Sequence, residues 1–208
     1  MEREAEDLWQ LSRFLWDNPE LALQEFKAHD TICDFLEGRG FVVRRRYLLE
    51  TAFWAEFQAP GGTNGPTVAI MAEYDALPEI GHACGHNLIA EAAVGAAIAA
   101  MEAMKKSSTA RGKLIVIGTP AEECFGGKEM LVQKGAFQDI DVAMMVHPMN
   151  QDTLRLNLNA SQQATNCAVT ITKNAVYKDV VHNVTLSKVY RKHGQNLGRY
   201  YPDLYRQP

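Results

Sequence analysis

The stretch TVAIMAEYDALPEIGHACGHNLIAEAAVGAAIAAMEAM, Thr67 to Met104, decides the fold. Thr67 to Glu73 is an apolar run of strand length. The segment Ala76-Leu77-Pro78 and the loop HACGHN, His82 to Asn87, follow it. From Leu88 to Met104 the chain reads as an Ala-rich helix whose small side chains allow close approach to a sheet. Downstream the alternation continues with a strand from Lys113 to Thr119, a helix from about Gly127 to Lys134 and a strand from Asp141 to Val146. Strands alternating with helices long enough to be crossovers predict an α/β fold: a layered, mixed and mainly parallel sheet flanked by helices. In such folds ligands collect in loops after the carboxyl ends of strands.

On the amino-terminal side, Glu2 to Trp16 places Leu8, Leu11 and Leu15 at helical spacing, and Asn18-Pro19 stops that helix. A second amphipathic helix is expected from about Glu25 to Glu37, with Phe26, Ile32, Phe35 and Leu36 facing the core and Gly38 and Gly40 ending it. Thr51 to Gln58 is strand-like. The Gly- and Pro-rich loop Pro60 to Pro66 between it and the next strand predicts a hairpin. Beyond His147-Pro148 the pattern predicts strands at Thr153 to Leu158 and Ala168 to Thr172, a helix at Val184 to Leu197 and a frayed tail from Arg199.

The chain has 208 residues, 47% hydrophobic and 22% charged, with net charge −4, which predicts a soluble globular protein of one or two domains and excludes collagen-like or disordered classes. An acidic balance argues against a nucleic-acid partner, and the run Arg44 to Arg46 is too short to reverse that. Cys33, Cys84, Cys124 and Cys167 are too sparse for a disulfide framework, and the amino-terminal residues read as a helix rather than a secretory signal. A cytoplasmic location is expected, with the nucleus as the other compartment. Leu88 to Met104 is shorter than a bilayer requires and carries Glu91 and Glu102, so no membrane span is expected.

Three loops after strands carry metal-type ligands: Glu73 and Asp75 in AEYDALP, Cys84 and His86 in HACGHN, and Glu122 and Glu123 in TPAEEC. His147 closes a fourth strand. Thiolate and imidazole together with carboxylate suit zinc, and manganese or cobalt less exclusively. Gly85 lets its loop bend so that Cys84 and His86 face one ion. A metal hydrolase needs one carboxylate on the ion and another, unligated, to take a proton from the attacking water. Adjacent residues at a strand end point in different directions, which suits the Glu122-Glu123 pair.

Singly, each residue has a plainer role: Cys84 as a small buried hydrophobe, His147 as a hydrogen-bonded side chain, the Glu pair as a solvated surface. The combination on one edge favours a metal. Cys124 reads as structural, His82 as support for the site or for its loop, and His29, His182 and His193 as surface residues.

The segments NPELALQEF (Asn18 to Phe26), AEYDALP, GHACGHN, TPAEE and the His147-Pro148 strand end, in this order, resemble the di-metal aminoacylase and carboxypeptidase superfamily, in its branch of hippurate and indole-acetyl-amino-acid amidohydrolases. EYDALPEIGHACGHNLIAE is especially similar to a dipeptidase group within that branch. The resemblance covers about Leu8 to Pro148. It implies a co-catalytic metal pair, with Cys84, His86, Glu123 and His147 as ligands and Glu122 as general acid/base. Asp75 matches the acidic residue that supports the site, and Glu73 stands where other branches place a metal-binding His. The implied reaction is hydrolysis of an amide or dipeptide bond. The implied substrates are dipeptides ending in Lys, Orn or Arg, β-alanyl ones included, with removal of by-products of carnosine synthesis as the associated role.

Members of that family continue after the His-Pro strand end with a lid domain that also forms the homodimer interface, then with the rest of the catalytic domain and a final His ligand. Too few residues follow Pro148 for both. Ser161 to Gly198 resembles the chain beyond the lid's midpoint. The expected organisation is therefore the main part of a catalytic domain over 1–160 and a remnant over 161–208, with the lid largely absent. Neither His182 nor His193 matches the final ligand. The shortening predicts one or two bound ions, one of them weakly held, and reduced activity because lid closure orients substrate. A different class fits the same residues: a non-catalytic metal-binding fragment that partners a full-length relative. A zinc nucleobase deaminase requires His-x-Glu and Pro-Cys-x-x-Cys, and the chain has neither.

Overall fold

The run Leu114-Ile115-Val116-Ile117 is buried at every position and forms the centre of the sheet. In a computed structural model, which describes residues 2–148 and 184–197, the elements are α1 (Glu2–Asp17), α2 (Phe26–Glu37), β1 (Val42–Arg45), β2 (Phe53–Gln58), β3 (Thr67–Ala72), α3 (His86–Lys106), β4 (Lys113–Gly118), α4 (Glu122–Phe125), α5 (Gly127–Gln133), β5 (Val142–Met144) and α6 (Val184–Asn196). The sheet order is β1-β2-β4-β3-β5. β4 pairs antiparallel with β2 and parallel with β3, while β3 also pairs parallel with β5 and β1 pairs antiparallel with β2. The mixed, helix-flanked α/β sheet matches expectation.

The hairpin does not form. β2 and β3 are separated by β4, because a strand apolar on both faces is best placed in the interior of a sheet. The loop that suggested a turn instead runs along the segment entering β4: the Gly61 amide donates to Ala110 O at 3.1 Å and the Gly112 amide to Gly62 O at 2.9 Å. Gly65 permits that approach, since a Cβ there would lie 2.7 Å from the Arg111 carbonyl carbon. β1 was not anticipated, because its sequence VVRR is half charged. It is an edge strand, where charge discourages pairing with other chains.

Alternation along the strands gives each face its own core. Phe53, Ala55, Ala72, Leu114 and Val116 pack with Leu11, Leu15, Ile32, Leu36 and the α3 residues Ala90, Ala93, Val94 and Ala97. Trp54, Ala69, Ile115 and Ile117 pack with Leu131 and Ala136 on the opposite face. The chain thus leaves β3 through α3 on one face and returns from β4 through α5 on the other. β3 is the place where the connections diverge, and ligands favour its carboxyl end. α3 has the length and composition of a membrane span, yet its apolar residues Val94, Ile98 and Met101 are buried in the first of these cores.

Two expectations along α2 are corrected. Phe26 is exposed, because the buried stripe runs through Ala28, His29, Ile32, Cys33 and Leu36 and the first helical residue falls outside it. His29 belongs to that stripe and is buried. Its Nδ1 lies 2.9 Å from Asp30 Oδ1, and its Nε2 accepts the Arg46 amide at 3.2 Å. Helical period overrides polarity here because both ring nitrogens find partners.

Gly118, paired with Phe53, lacks room for a side chain: a Cβ would run into the Phe53 ring and lie 2.7 Å from the Tyr74 hydroxyl. Gly118→Ala is expected to destabilise the chain by about 1–3 kcal/mol, read as a lower urea midpoint with an unchanged m value.

By itself, α6 carries Lys188, Arg191, Lys192 and His193 on a helix in which Val189 and His193 are exposed. The expected strands at Thr153 to Leu158 and Ala168 to Thr172, the tail from Arg199, His182 and Cys167 lie outside the described residues.

Candidate metal centre

The loops after β3, β4 and β5 and the start of α3 meet at one edge of the sheet. Just past β3, Glu73 and Asp75 are both buried. His86 opens α3 immediately after Gly85, which adopts a left-handed φ of 84°. A Cβ on Gly85 would also lie 2.8 Å from Pro148 Cγ, so glycine serves both the bend and the approach of the segment bearing His147.

Asp75 organises the site. Its Oδ1 accepts from His86 Nδ1 at 2.9 Å, and its Oδ2 accepts the Glu123 amide at 3.0 Å. Burial pushes the Asp75 carboxyl upward, but the bonds from His86 and the Glu123 amide outweigh it and leave the group below its ordinary value. An ionised carboxylate only accepts, so the shared hydrogen sits on His86 Nδ1. In the neutral ring this leaves the Nε2 lone pair bare.

That lone pair faces Glu73 Oε2 at 3.3 Å and Glu123 Oε1 at 3.4 Å. His86 Nε2 and Glu73 Oε2 are both buried without a hydrogen-bond partner among the described residues. Acceptors converging in this way repel one another unless a proton or a cation lies between them. Without an ion, burial lowers the His86 pKa, but the bond and charge of Asp75, with Glu73 and Glu123, raise it above its ordinary value. This donor arrangement fits a metal ion, which requires deprotonated ligands at its centre.

The Glu pair does not sit at a strand end, as expected. β4 stops at Gly118, Ala121 turns left-handed (φ 57°), and Glu122 and Glu123 form the first turn of α4. The Thr119 amide bonds Ala72 O at 2.8 Å, tying the loop to β3 before it turns. Adjacent helical residues still point apart, so the two carboxylates differ in environment. Burial raises the Glu122 pKa, the Lys128 charge opposes this, and the nearby acidic groups add to the rise.

Lys128, on α5, was not singled out in the sequence. Its ammonium contacts Glu73 Oε1 and lies 3.7 Å from Glu122 Oε1, so it balances part of the negative charge. No spacing motif announces it; the only signal is the surplus of carboxylates that needs a counter-charge.

Cys84 and His147 complete the cluster. Cys84 Sγ is 3.5 Å from His147 Nε2, and His147 Nδ1 is 2.9 Å from Pro148 O. The His86 and His147 rings are 6.0 Å apart and nearly perpendicular. Burial first, then a hydrogen bond with Glu123 and the charges of Glu123, Glu73 and Glu122, push the Cys84 thiol up to about 12. Among the described residues two donor groups result: Cys84 with His86 and His147, and His86 with Glu122 and Glu123. Within each, the donor atoms lie within 4.8 Å of one another. Cys124 is in neither group. His82 is buried and also lies in neither group, with its Nδ1 unpartnered among the described residues.

A set of thiol, imidazole and carboxylate donors at the carboxyl edge of an α/β sheet defines the class of metal-binding α/β proteins. A sequence profile described as peptidase family M20/M25/M40 matches residues 69–197, and the chain belongs to that family. It is 44% identical over 160 residues to the Xaa-Arg dipeptidase of Mus musculus, covering 73% of this chain and 37% of the relative. To the Homo sapiens protein of the same name it is 43% identical over 165 residues, covering 73% and 38%. Among solved structures, a dinuclear metal-binding peptidase of the M20 family from Bacillus subtilis aligns with a TM-score of 0.61 at 25% identity, covering 73% of this chain and 46% of that one. The chain therefore spans well under half the length of the curated relatives it matches.

Proposed function

We propose that the chain carries a metal-dependent hydrolytic centre for amide and dipeptide bonds, acting on dipeptides that end in Lys, Orn or Arg, β-alanyl ones included. The observation that carries this proposal is the pair of donor groups sharing His86, with a bare Nε2 aimed between carboxylates. Cys84, His86, Glu123 and His147 are the proposed ligands, for zinc first and manganese or cobalt after it. When bound, the cation supplies polarisation of the scissile carbonyl and of a water.

The remaining work belongs to side chains. Glu122, beside the ligands but on its own side of the α4 turn, takes the water's proton and returns it to the leaving amine. Asp75 fixes the His86 ring and the Glu123 backbone. Lys128 holds Glu73 and faces Glu122, limiting repulsion among the carboxylates. Residues 1–160 form the main part of this catalytic domain and 161–208 a remnant beyond the lid, in a cytoplasmic protein that removes by-products of carnosine synthesis.

Similarity to two Xaa-Arg dipeptidases at 43–44% identity supports the substrate class, and similarity to the dinuclear metal-binding B. subtilis peptidase supports the metal. Purified chain incubated with zinc is expected to hold one or two ions and to release free Lys from β-Ala-Lys. Stoichiometric metal without turnover on any dipeptide, together with co-purification of a longer relative, would assign it instead as a non-catalytic partner.

Zinc binding is also expected to release protons. A Cys84 thiol whose pKa is pushed up to about 12 is protonated at neutral pH, whereas a ligand must be a thiolate. Calorimetry in buffers of differing ionisation enthalpy should report roughly one proton or more per zinc, with affinity rising with pH. Proton-neutral binding would remove Cys84 from the ligand set.

A further inference from the structure

A second buried carboxylate, outside the donor cluster, holds the same loop. Glu25, the residue before α2, is fully buried. Among the described residues its carboxylate is satisfied by hydrogen bonds alone. Oε2 accepts the Thr51 hydroxyl at 2.8 Å, and Oε1 accepts the Ala121 amide, 96 residues along the chain, at 2.8 Å. Thr51 is in turn fixed through its carbonyl, which accepts the Tyr74 hydroxyl at 2.5 Å.

Ala121 is where this matters. It is a non-glycine residue in the left-handed region, a conformation that persists only where its surroundings impose it. Its carbonyl accepts the Gly127 amide at 3.1 Å, and a Cβ on Gly127 would collide with Pro120 O, so the turn has no slack on its far side. The loop from β4 to α4 is therefore held at three points: Thr119 on β3, Ala121 on Glu25, and Glu123 on Asp75. Only the middle one comes from outside the sheet edge.

We propose that Glu25 is a positioning residue: its carboxylate fixes the left-handed turn at Ala121 and so aims Glu122 and Glu123 at the donor cluster. The structural half of this stands on the geometry, while its effect on turnover rests on the hydrolytic function proposed above.

The test compares Glu25→Ala and Glu25→Gln in the full chain by site-resolved amide exchange, zinc titration and kinetics on β-Ala-Lys. Gln retains a carbonyl for the Ala121 amide and can donate to the Thr51 hydroxyl. Glu25→Ala is expected to speed exchange at Ala121 and Glu123 with little change along β4, to weaken zinc about 10–100-fold, and to lower kcat with KM nearly unchanged. Glu25→Gln is expected to recover most of each. Should Glu25→Ala not fold, Glu25→Asp, charged but too short to reach Ala121, must show the same local losses. Unchanged exchange and zinc affinity, or acceleration spread equally over β4, would overturn the proposal. Local exchange and zinc effects in a chain whose wild type turns over no dipeptide would leave Glu25 standing and remove the hydrolase.

Discussion

Glu122→Gln is expected to lower turnover of β-Ala-Lys by about 10²–10⁴-fold, the usual range for loss of general acid–base transfer, while leaving bound zinc unchanged. Gln preserves the size and the α4 turn but cannot take a proton. Glu123 and His86 keep their contacts with Asp75, so the ligand set is untouched. The pH profile gives a second readout. Burial raises Glu122 above the ordinary 4.5, with Lys128 opposing, and the group serves as base only when ionised. The wild-type acid limb of kcat/KM should therefore follow the ionisation of Glu122, and Glu122→Gln should lose it. Full activity in this variant would refute the assignment of Glu122, and zinc loss would make Glu122 a ligand, which the donor group of His86, Glu122 and Glu123 also permits sterically.

The parts of this centre that were legible in the sequence are those whose chemistry is local. HACGHN and TPAEEC name their donors because thiol, imidazole and paired carboxylates are uncommon side by side, and the alternation of strands and helices brings strand ends to one edge. What was not legible depends on pairings far apart along the chain. The order β2-β4-β3 follows from β4 needing burial on both faces, a comparison among strands that no single loop encodes. Ala121 carries no glycine or asparagine to announce a left-handed turn, because the turn is imposed by Glu25 from 96 residues away. By polarity His29 reads as a surface residue, but its place on a helical stripe buries it; of its two partners Asp30 is its neighbour in α2, whereas the Arg46 amide reaches it only once β1 lies beside α2.

Asp75→Ala is expected to weaken zinc about 10–100-fold, as removal of such outer partners does, and to destabilise the metal-free chain by about 1–3 kcal/mol for a buried donor left unpaired and by less for a half-buried one. Those donors are His86 Nδ1 and the Glu123 amide. Stability against pH separates the two effects. Asp75 lies below its ordinary 3.8 when folded, so its contribution is present above that value and is lost as pH falls through the folded pKa. His86 lies above its ordinary 6.5, so in the metal-free chain its contribution is complete below that value and is lost as pH rises through the folded pKa. Metal-free wild type should therefore lose stability toward alkaline pH, and Asp75→Ala should flatten that decline because the principal cause of the raised His86 value is gone. Excess zinc should reverse the slope in wild type, since a cation that replaces the proton on His86 and Cys84 binds better as pH rises. If thermal melts with and without zinc showed parallel pH dependence, no ion would be exchanging with those protons, and the shared imidazole would be only a buried ion pair of the fold.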